Sequence, residues 1–269
     1  MKKLLIVSIA ALAGSAVANA ADMPARAYSK APMVAPAPVY NWTGFYAGVN
    51  VGGAWSGDDV VWNANPAAFG IGFTPVLNSS GTGKINATGV TAGGQAGFNY
   101  QVSPMWLVGV EADINYTDLS KGRTVFVPPP GTPGTFVTST FESKWLATVR
   151  GRVGILATPQ LLLYGTGGVA FANVKTTDFA FFAFDGSSNA AASDTIRTGW
   201  TAGGGAEWAF AANWSAKIEY LYVDLGSVNY TSPNTATAAA TINHDHRLTE
   251  NIVRVGVNYR FGGPVVAKY

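Results

Sequence analysis

The stretch Val253-Arg-Val-Gly-Val-Asn-Tyr-Arg-Phe261 alternates apolar and polar side chains without interruption. A period of two residues places successive side chains on opposite faces of an extended strand, so the valines and aromatics share one face. Arg254, Asn258 and Arg260 occupy the other face. An apolar face opposite one that carries arginine predicts a strand with lipid on one side and a polar interior on the other.

The same period runs through seven earlier segments, each about 10 to 15 residues long. They are 42–55, 88–102, 106–117, 141–156, 161–176, 197–211 and 213–224. A tilted strand needs about 9 to 11 residues to cross a bilayer, whereas strands of ordinary sheets average about five or six. The lengths therefore favour membrane-spanning strands. The alternation is least regular in 161–176. In this segment we assign four residues to the outer face: Leu161, Leu163, Val169 and Phe171.

The connections between these segments alternate in length. Tight turns are predicted at 103–105, 157–160 and 211–213, and long loops at 56–87, 118–140, 177–196 and 225–246. This asymmetry is typical of outer-membrane barrels, in which the short turns are periplasmic and the long loops are extracellular. The sequence therefore predicts an all-β fold, an eight-stranded antiparallel up-and-down transmembrane β-barrel with four long extracellular loops.

Aromatic residues gather near both ends of the predicted strands. Those near the short turns are Trp42, Tyr100, Trp106, Phe210, Trp214, Tyr259 and Phe261, and those near the long loops are Trp55, Tyr116, Trp145, Phe171, Trp200 and Tyr222. Two rings of aromatic side chains are typical of the two interfaces of a membrane.

The first twenty residues have the composition of a secretory signal peptide. Met1-Lys2-Lys3 precedes an apolar stretch that ends at Ala18-Asn-Ala20, which predicts cleavage after Ala20. We expect a Pro/Ala-rich periplasmic linker over 21–40, the barrel over 41–262 and a short tail over 263–269. Export and a barrel together predict the outer membrane of a Gram-negative bacterium.

Charge and cysteine content exclude other classes of protein. The chain has 17 basic and 15 acidic residues, two of the basic ones lie in the predicted signal peptide, and there is no cysteine. The mature chain is then neutral, which argues against binding to nucleic acid. Without disulfides, burial, backbone pairing or the membrane must stabilise the protein.

The polar faces of the strands predict a network of charges in the lumen. An eight-stranded barrel is just wide enough for side chains to fill its interior, and charges in so narrow a space must be paired. We expect such a network from Glu111, Asp113, Lys144, Arg150, Arg152, Glu207, Lys217, Glu219, Arg254 and Arg260. Because many cations are available to them, Glu111 and Asp113 are interpreted as ion-pair members and not as an acid–base couple.

Two motifs imitate functional sites. Gly165-Thr-Gly-Gly-Val-Ala170 fits a dinucleotide-binding fingerprint, but that motif needs a following helix and a parallel sheet, and no helical period is present. His244 and His246 flank Asp245, but a metal would need further ligands, so we interpret them as residues of a solvated loop. The sequence predicts no catalytic residue, no metal site and no cofactor.

Five segments together resemble a known family: 42–48, 109–114, 148–154, 214–226 and 257–262. They resemble the alphaproteobacterial outer-membrane immunogenic protein family, OmpA-like eight-stranded barrels also labelled porin-family proteins. The resemblance implies a surface antigen that supports envelope integrity, without catalytic residues.

The last strand also resembles the signal by which the barrel-assembly machinery recognises its substrates, carried here by Val253, Val255, Val257, Tyr259 and Phe261. We therefore expect that machinery as a partner during biogenesis, and outer-membrane lipid and lipopolysaccharide as partners afterwards. The sequence leaves the oligomeric state open.

Three other functions stay open on the sequence alone. The first is a small-solute porin, although wide aqueous channels come with about 16 to 18 strands. The second is a membrane enzyme, which would want a histidine near a serine and a carboxylate at the outer rim. The third is adhesion or ligand binding to host or surface ligands through the loops, where Trp62 and Phe69 are expected to be exposed. Phe179–Phe184 could serve the same role, but we favour the interpretation that it extends the fifth strand above the membrane or packs within its loop.

Overall fold

The computed structural model describes residues 40–129 and 133–262, which form a closed barrel of eight antiparallel strands, each paired with its neighbours in chain order. The strands are β1 (Gly44–Ala64), β2 (Gly83–Gln101), β3 (Trp106–Phe126), β4 (Phe136–Thr158), β5 (Leu161–Phe182), β6 (Ser187–Ala211), β7 (Trp214–Ser232) and β8 (Ile242–Arg260). This confirms the predicted fold. The predicted signal peptide, the linker up to residue 39 and the tail 263–269 lie outside the described residues.

Two short helices, α1 (Pro66–Phe69) and α2 (Thr74–Gly81), lie between β1 and β2. No helix of the described residues has the length and apolarity needed to cross a membrane.

Burial alternates along each strand as the sequence predicts. In β1, Phe45 is 67% exposed and faces outward, whereas Tyr46 is 4% exposed and faces the lumen. In β5, Leu163 and Val169 are exposed and Leu162 is buried. Strand 161–176 therefore has the predicted orientation.

The strands continue well past their predicted outer ends. They are 19 to 25 residues long, and the connections at the outer end are only 65–82, 127–135, 183–186 and 233–241. Most of the predicted loops 118–140, 177–196 and 225–246, and less than half of 56–87, is therefore strand, and the predicted loop bounds were wrong. The prediction relied on an apolar outer face opposite a polar inner face. In these extensions that difference between the two faces is less regular, and polar residues such as Asp58 and His246 lie at inward positions.

Two of the eight ladders stop early. The β2–β3 ladder ends at Thr91 opposite Thr117, and the β6–β7 ladder ends at Trp200 opposite Asp224. The other six ladders continue to the strand tips. Beyond those two points the barrel is two facing four-stranded sheets, one of β3–β6 and one of β7, β8, β1 and β2. We call this part the outer half.

The two sheets of the outer half enclose an apolar core. It contains Trp62, Phe141, Phe182 and Leu248, together with Leu77 from α2. Trp62 is therefore buried and not exposed as predicted, because it belongs to the inward face of β1 and not to a loop.

An arginine bridges each of the two seams where pairing stops. Arg123 of β3 donates hydrogen bonds to the carbonyls of Ser80 and Gly81 at the end of α2, at 3.1 and 3.3 Å. Arg197 of β6 donates to the carbonyl of Ser227 on β7. The guanidinium groups thus supply donors to carbonyls that no neighbouring strand pairs with.

Two belts of exposed aromatic residues bound the part of the barrel that spans the membrane. Trp55, Tyr116 and Trp200 lie in the outer belt, and Trp106 and Trp214 lie in the periplasmic belt. The strand segments between the belts span the membrane.

Trp42 does not belong to the periplasmic belt, where the sequence placed it. Its side chain is 2% exposed and lies inside the barrel, where Nε1 donates to the carbonyl of Pro159 at 3.1 Å. It precedes β1, so strand alternation does not govern its direction.

Lys144 does not point into the lumen, contrary to the prediction. The β3–β4 register shifts between Tyr116 and Leu119, and the β4–β5 register between Ser143 and Leu146. Such a bulge adds a residue and reverses the alternation. The Lys144 side chain is 46% exposed and its Nζ lies 3.8 Å from Asp118.

The bulge gives a labelling prediction in a chain that contains no cysteine. On whole cells, a membrane-impermeant maleimide should react with the Lys144→Cys variant and not with Ser143→Cys, because Ser143 is buried. Heat-denatured protein should react in both variants, which controls for thiol reactivity. Equal labelling of the two folded variants, or labelling of Ser143→Cys alone, would contradict the assigned orientation.

Candidate functional site

Eight charged side chains fill the membrane-spanning lumen. Four are cations and four are carboxylates, so their formal charges balance. All are buried: Glu111 and Asp113 on β3, Arg150 and Arg152 on β4, Glu207 on β6, Lys217 and Glu219 on β7, and Arg254 on β8. We call this set the lumen network.

Arg150 lies at the centre of the lumen network. Its guanidinium contacts Glu111, lies 2.8 Å from Asp113 Oδ2 and lies 3.1 Å from Glu219 Oε1. Its Nε donates to Thr148 Oγ1 at 2.9 Å. Residues two apart on β4 share the inward face, so one strand supplies both partners of this contact.

Each remaining cation has a carboxylate partner. Lys217 Nζ lies 2.9 Å from both oxygens of Glu111. Arg254 Nη1 lies 3.1 Å from Asp113 Oδ1. Arg152 donates to Glu207 Oε2 at 2.7 Å. Charges removed from water are tolerated when they are paired and hydrogen-bonded in this way.

Two tyrosines complete the network, and the sequence did not single them out. The Tyr46 hydroxyl donates to Glu111 at 2.8 Å and accepts from Arg152 at 3.0 Å. The Tyr164 hydroxyl donates to Glu219 at 2.9 Å, and the guanidinium of Arg152 lies 4.0 Å from the centre of its ring. The only signal in the sequence was that both tyrosines occupy inward positions in the alternation of outward and inward side chains.

The structure does not bring all ten predicted residues together. Arg260 is buried near the periplasmic end, where it donates to the Ala212 carbonyl at 3.3 Å and lies over the Tyr40 ring at 5.2 Å. Among the described residues, no carboxylate lies within salt-bridge distance of Arg260. Lys144 lies outside the barrel.

An apolar layer borders the lumen network on each side. On the periplasmic side the layer consists of Trp42, Leu107, Leu156, Leu162 and Ala209. On the outer side it includes Leu119, Leu146, Leu221, Val223 and Ile252. The arrangement places paired charges between two apolar layers.

A second polar group lies in the outer half. His246 of β8 contacts Asp58 Oδ2 of β1 at 2.8 Å through Nδ1, and Asp178 Oδ2 of β5 at 2.7 Å through Nε2. The Tyr230 hydroxyl of β7 donates to the same Asp178 oxygen at 2.6 Å. We call Asp58, Asp178, Tyr230, His244 and His246 the outer cluster.

The outer cluster corrects the interpretation of the histidines. His244 and His246 are buried inward-facing residues of β8 and not residues of a solvated loop. The last strand begins at Ile242 and not at residue 247 as predicted, so both histidines lie within it. Within residues 40–129 and 133–262, no group of His, Asp and Glu side chains has the arrangement to hold a metal ion.

The environment of the outer cluster shifts its pKa values. Burial opposes the charge of His246, but its hydrogen bonds to Asp178 and Asp58 outweigh burial and raise its pKa to about 9. Burial alone would raise the pKa of Asp178, but the bond to His246 and its charge lower it. Burial lowers the pKa of His244 to about 4. Burial raises the pKa of Asp58 despite its bond to His246.

Ser232, His244 and Asp178 stand in the order of a Ser–His–Asp triad. His244 Nε2 lies 2.8 Å from Ser232 Oγ, and Nδ1 lies 3.3 Å from Asp178 Oδ2. His244 Nδ1 makes no hydrogen bond, however, and all three side chains are buried. A triad needs an oriented imidazole and a nucleophile that substrate can reach, and this group has neither.

Comparison with known proteins assigns the family. Residues 7–261 match the family model described as outer membrane protein beta-barrel domain. The chain belongs to this family. It is 33% identical to a 31 kDa outer-membrane immunogenic protein of Brucella melitensis biotype 1, over 97% of this chain and 100% of that protein. It is 30% identical to a 25 kDa outer-membrane immunogenic protein of Brucella canis, over 97% and 99% of the two chains.

Among solved structures, the outer membrane protein OprG of Pseudomonas aeruginosa is 11% identical and matches with a TM-score of 0.45, over 82% of this chain and 98% of that chain. The predicted family and the predicted location in the outer membrane of a Gram-negative bacterium are confirmed by the family and its relatives.

Removal of one central charge should destabilise the barrel. Arg150→Ala leaves three buried carboxylates short of a cation, and breaking a buried ion pair costs about 3–5 kcal/mol. We expect the free energy of unfolding to fall by about that amount in urea titrations of the protein in lipid vesicles.

The matched control is Lys144→Ala, which breaks an exposed pair worth at most about 1 kcal/mol. Equal losses for the two variants would mean that the lumen network does not stabilise the barrel.

Proposed function

We propose that this protein is a non-conducting, non-catalytic structural barrel that anchors surface segments and supports the integrity of the outer membrane. The observation that carries the proposal is the charge-balanced lumen network between two apolar layers. A lumen built in this way acts as a stabilising core. The part of the chain that can act on its surroundings is then the outer half and its connections.

The main alternative is a porin for small solutes. Each cation of the lumen network lies within hydrogen-bonding distance of a carboxylate, so a solute would have to replace contacts such as that of Arg152 with Glu207. It would also have to pass Trp42 and Leu162 on the periplasmic side. These two features favour a plugged barrel over a pore.

A catalytic role has less support than a structural one. The lumen carboxylates are bound by cations, and the Ser232 group is buried without an oriented imidazole. The relatives are named as immunogenic outer-membrane proteins. By analogy we propose that this chain is also a surface antigen.

Contact with lipopolysaccharide is proposed as a second role of the outer half. Phe126, Phe136, Phe179 and Phe181 lie on the outward face of β3–β5, with ring centres 5.7 to 6.2 Å apart. Phe126 is 72% exposed. Exposed apolar patches often contact a partner or lipid, and this one faces sideways, along the membrane.

Biogenesis by the barrel-assembly machinery remains part of the proposal. Val253, Val255 and Phe261 of the expected assembly signal face lipid, and β8 closes the ring by pairing with β1. An exposed apolar row on the closing strand is consistent with recognition before the barrel closes.

The plugged lumen predicts the absence of conductance. Purified protein in a planar lipid bilayer should give no stable single-channel steps, while a sixteen-stranded porin reconstituted in parallel should conduct. Reproducible steps from the folded barrel would reject the non-conducting role in favour of a pore.

The role in the envelope predicts a defect on deletion. A strain without this protein should become more sensitive to detergent and to vancomycin, which an intact outer membrane excludes. The wild-type chain should restore resistance, and so should Lys144→Ala, which leaves the lumen network intact. Unchanged sensitivity in the deletion strain would contradict the proposed support of the envelope.

A further inference from the structure

Separate polar contacts, and not continuous ladders, hold the two sheets of the outer half together. The main-chain ladders between them stop at Thr91 and at Trp200, and beyond those points Arg123 and Arg197 bridge the seams. The isolated bridge between Asn189 and Asn234 joins the tips, together with hydrogen bonds between Ser188 and Thr235 at 2.9 and 3.0 Å. Side chains must therefore supply the remaining polar links. Asn189 donates to the carbonyls of Ser232 and Ala240 at 2.8 and 2.9 Å.

The most buried of these links passes through Asp178. This carboxylate belongs to the β3–β6 sheet, and its partners His246 and Tyr230 belong to the facing sheet. His246 also binds Asp58 on its own sheet. An imidazole with a carboxylate at each nitrogen can donate to both only when it carries two protons.

We propose that His246 is a pH-sensitive latch, in which the doubly protonated imidazole joins the two sheets through Asp178 and Asp58. When these hydrogen bonds are lost, the outer half opens along the β2–β3 and β6–β7 seams. The membrane-spanning part of the barrel stays closed. The opened form would expose the apolar core between the sheets, including Trp62, Phe141 and Phe182, at the cell surface. Opening would require no break in the ladders of the membrane-spanning part.

The charged and titratable groups around the latch come from several strands. They are Asp58 and Asp59 on β1, Asp178 on β5, Tyr230 on β7 and His244 on β8. Glu250 is buried further along β8. The groups in direct contact with His246 are thus Asp58, Asp178 and Tyr230.

The latch should weaken as the pH rises. The pKa of His246 is about 9 in the closed form, against an ordinary value of about 6.5. A raised pKa stabilises the closed form fully below the ordinary value, and that stabilisation is lost as the pH rises through 9. Between pH 6.5 and 9 the open fraction should rise by roughly two orders of magnitude.

Protonation of His244 should also weaken the latch as the pH falls. The closed form holds the pKa of His244 at about 4, so an opened form takes up a proton there first as the pH falls below about 6.5. The lowered pKa of Asp178 acts in the same direction, because its stabilising charge is lost in acid. The raised pKa of Asp58 acts in the opposite direction, and so does the pKa of Glu250, which burial raises to about 7.

Hydrogen exchange of the full chain in lipid vesicles tests the latch. Exchange should be measured from pH 4 to 9 and corrected for intrinsic rates. Protection of outer peptides within 58–64, 174–182 and 242–248 should fall as the pH rises from 6.5 to 9, and below pH 6.5 it should differ between the wild type and a His244→Gln variant. Protection of membrane-spanning peptides within 106–115 and 146–154 should stay constant.

Two variants on the same strand separate the limbs. His246→Gln should remove the fall in protection of the outer peptides above pH 6.5. His244→Gln should remove the part of the change in protection below pH 6.5 that protonation of His244 causes. If His246→Gln fails to assemble, the wild-type profile and His244→Gln still decide. A flat profile in the wild type would overturn the latch, and so would parallel loss of protection in both halves. A His244→Gln profile equal to that of the wild type would overturn the acid limb.

Discussion

In lipid, no solvent can satisfy a backbone N–H or C=O group, and this constraint governs the rest of the structure. Only a helix or a closed barrel pairs every such group. Closing the ring with eight strands leaves a lumen just wide enough for side chains to fill. The inward residues must then satisfy one another, and β3, β4, β6, β7 and β8 do so with equal numbers of cations and carboxylates around Arg150. The closed wall and the filled lumen are thus two consequences of one physical requirement.

Beyond the outer aromatic belt the constraint no longer applies, and the architecture changes there. Water can satisfy unpaired strand edges, so the β2–β3 and β6–β7 ladders stop close to that belt. The barrel continues as two facing sheets with an apolar core, joined by Asp178 and its partners. One set of eight strands therefore forms a membrane barrel at one end and a two-sheet sandwich at the other.

The alternation of apolar and polar residues was enough to predict the number of strands, their order and most of the lumen charges. It failed at Lys144 because a bulge inserts a residue, and a period of two carries no sign of the insertion. It missed Asp58 and His246 because the strands were assumed to end where the membrane ends. Trp42 lay outside the rule, since it precedes the first strand. These are the places where tertiary contacts, and not local pattern, decide the direction of a side chain.

We propose that the lumen is a packed core and not a water path. A high-resolution crystal structure tests this directly through the positions of ordered water molecules along the barrel axis. A packed lumen should hold isolated waters at most, with none crossing the apolar layers around Leu162 and Leu221. A continuous file of water from one mouth of the barrel to the other would contradict it.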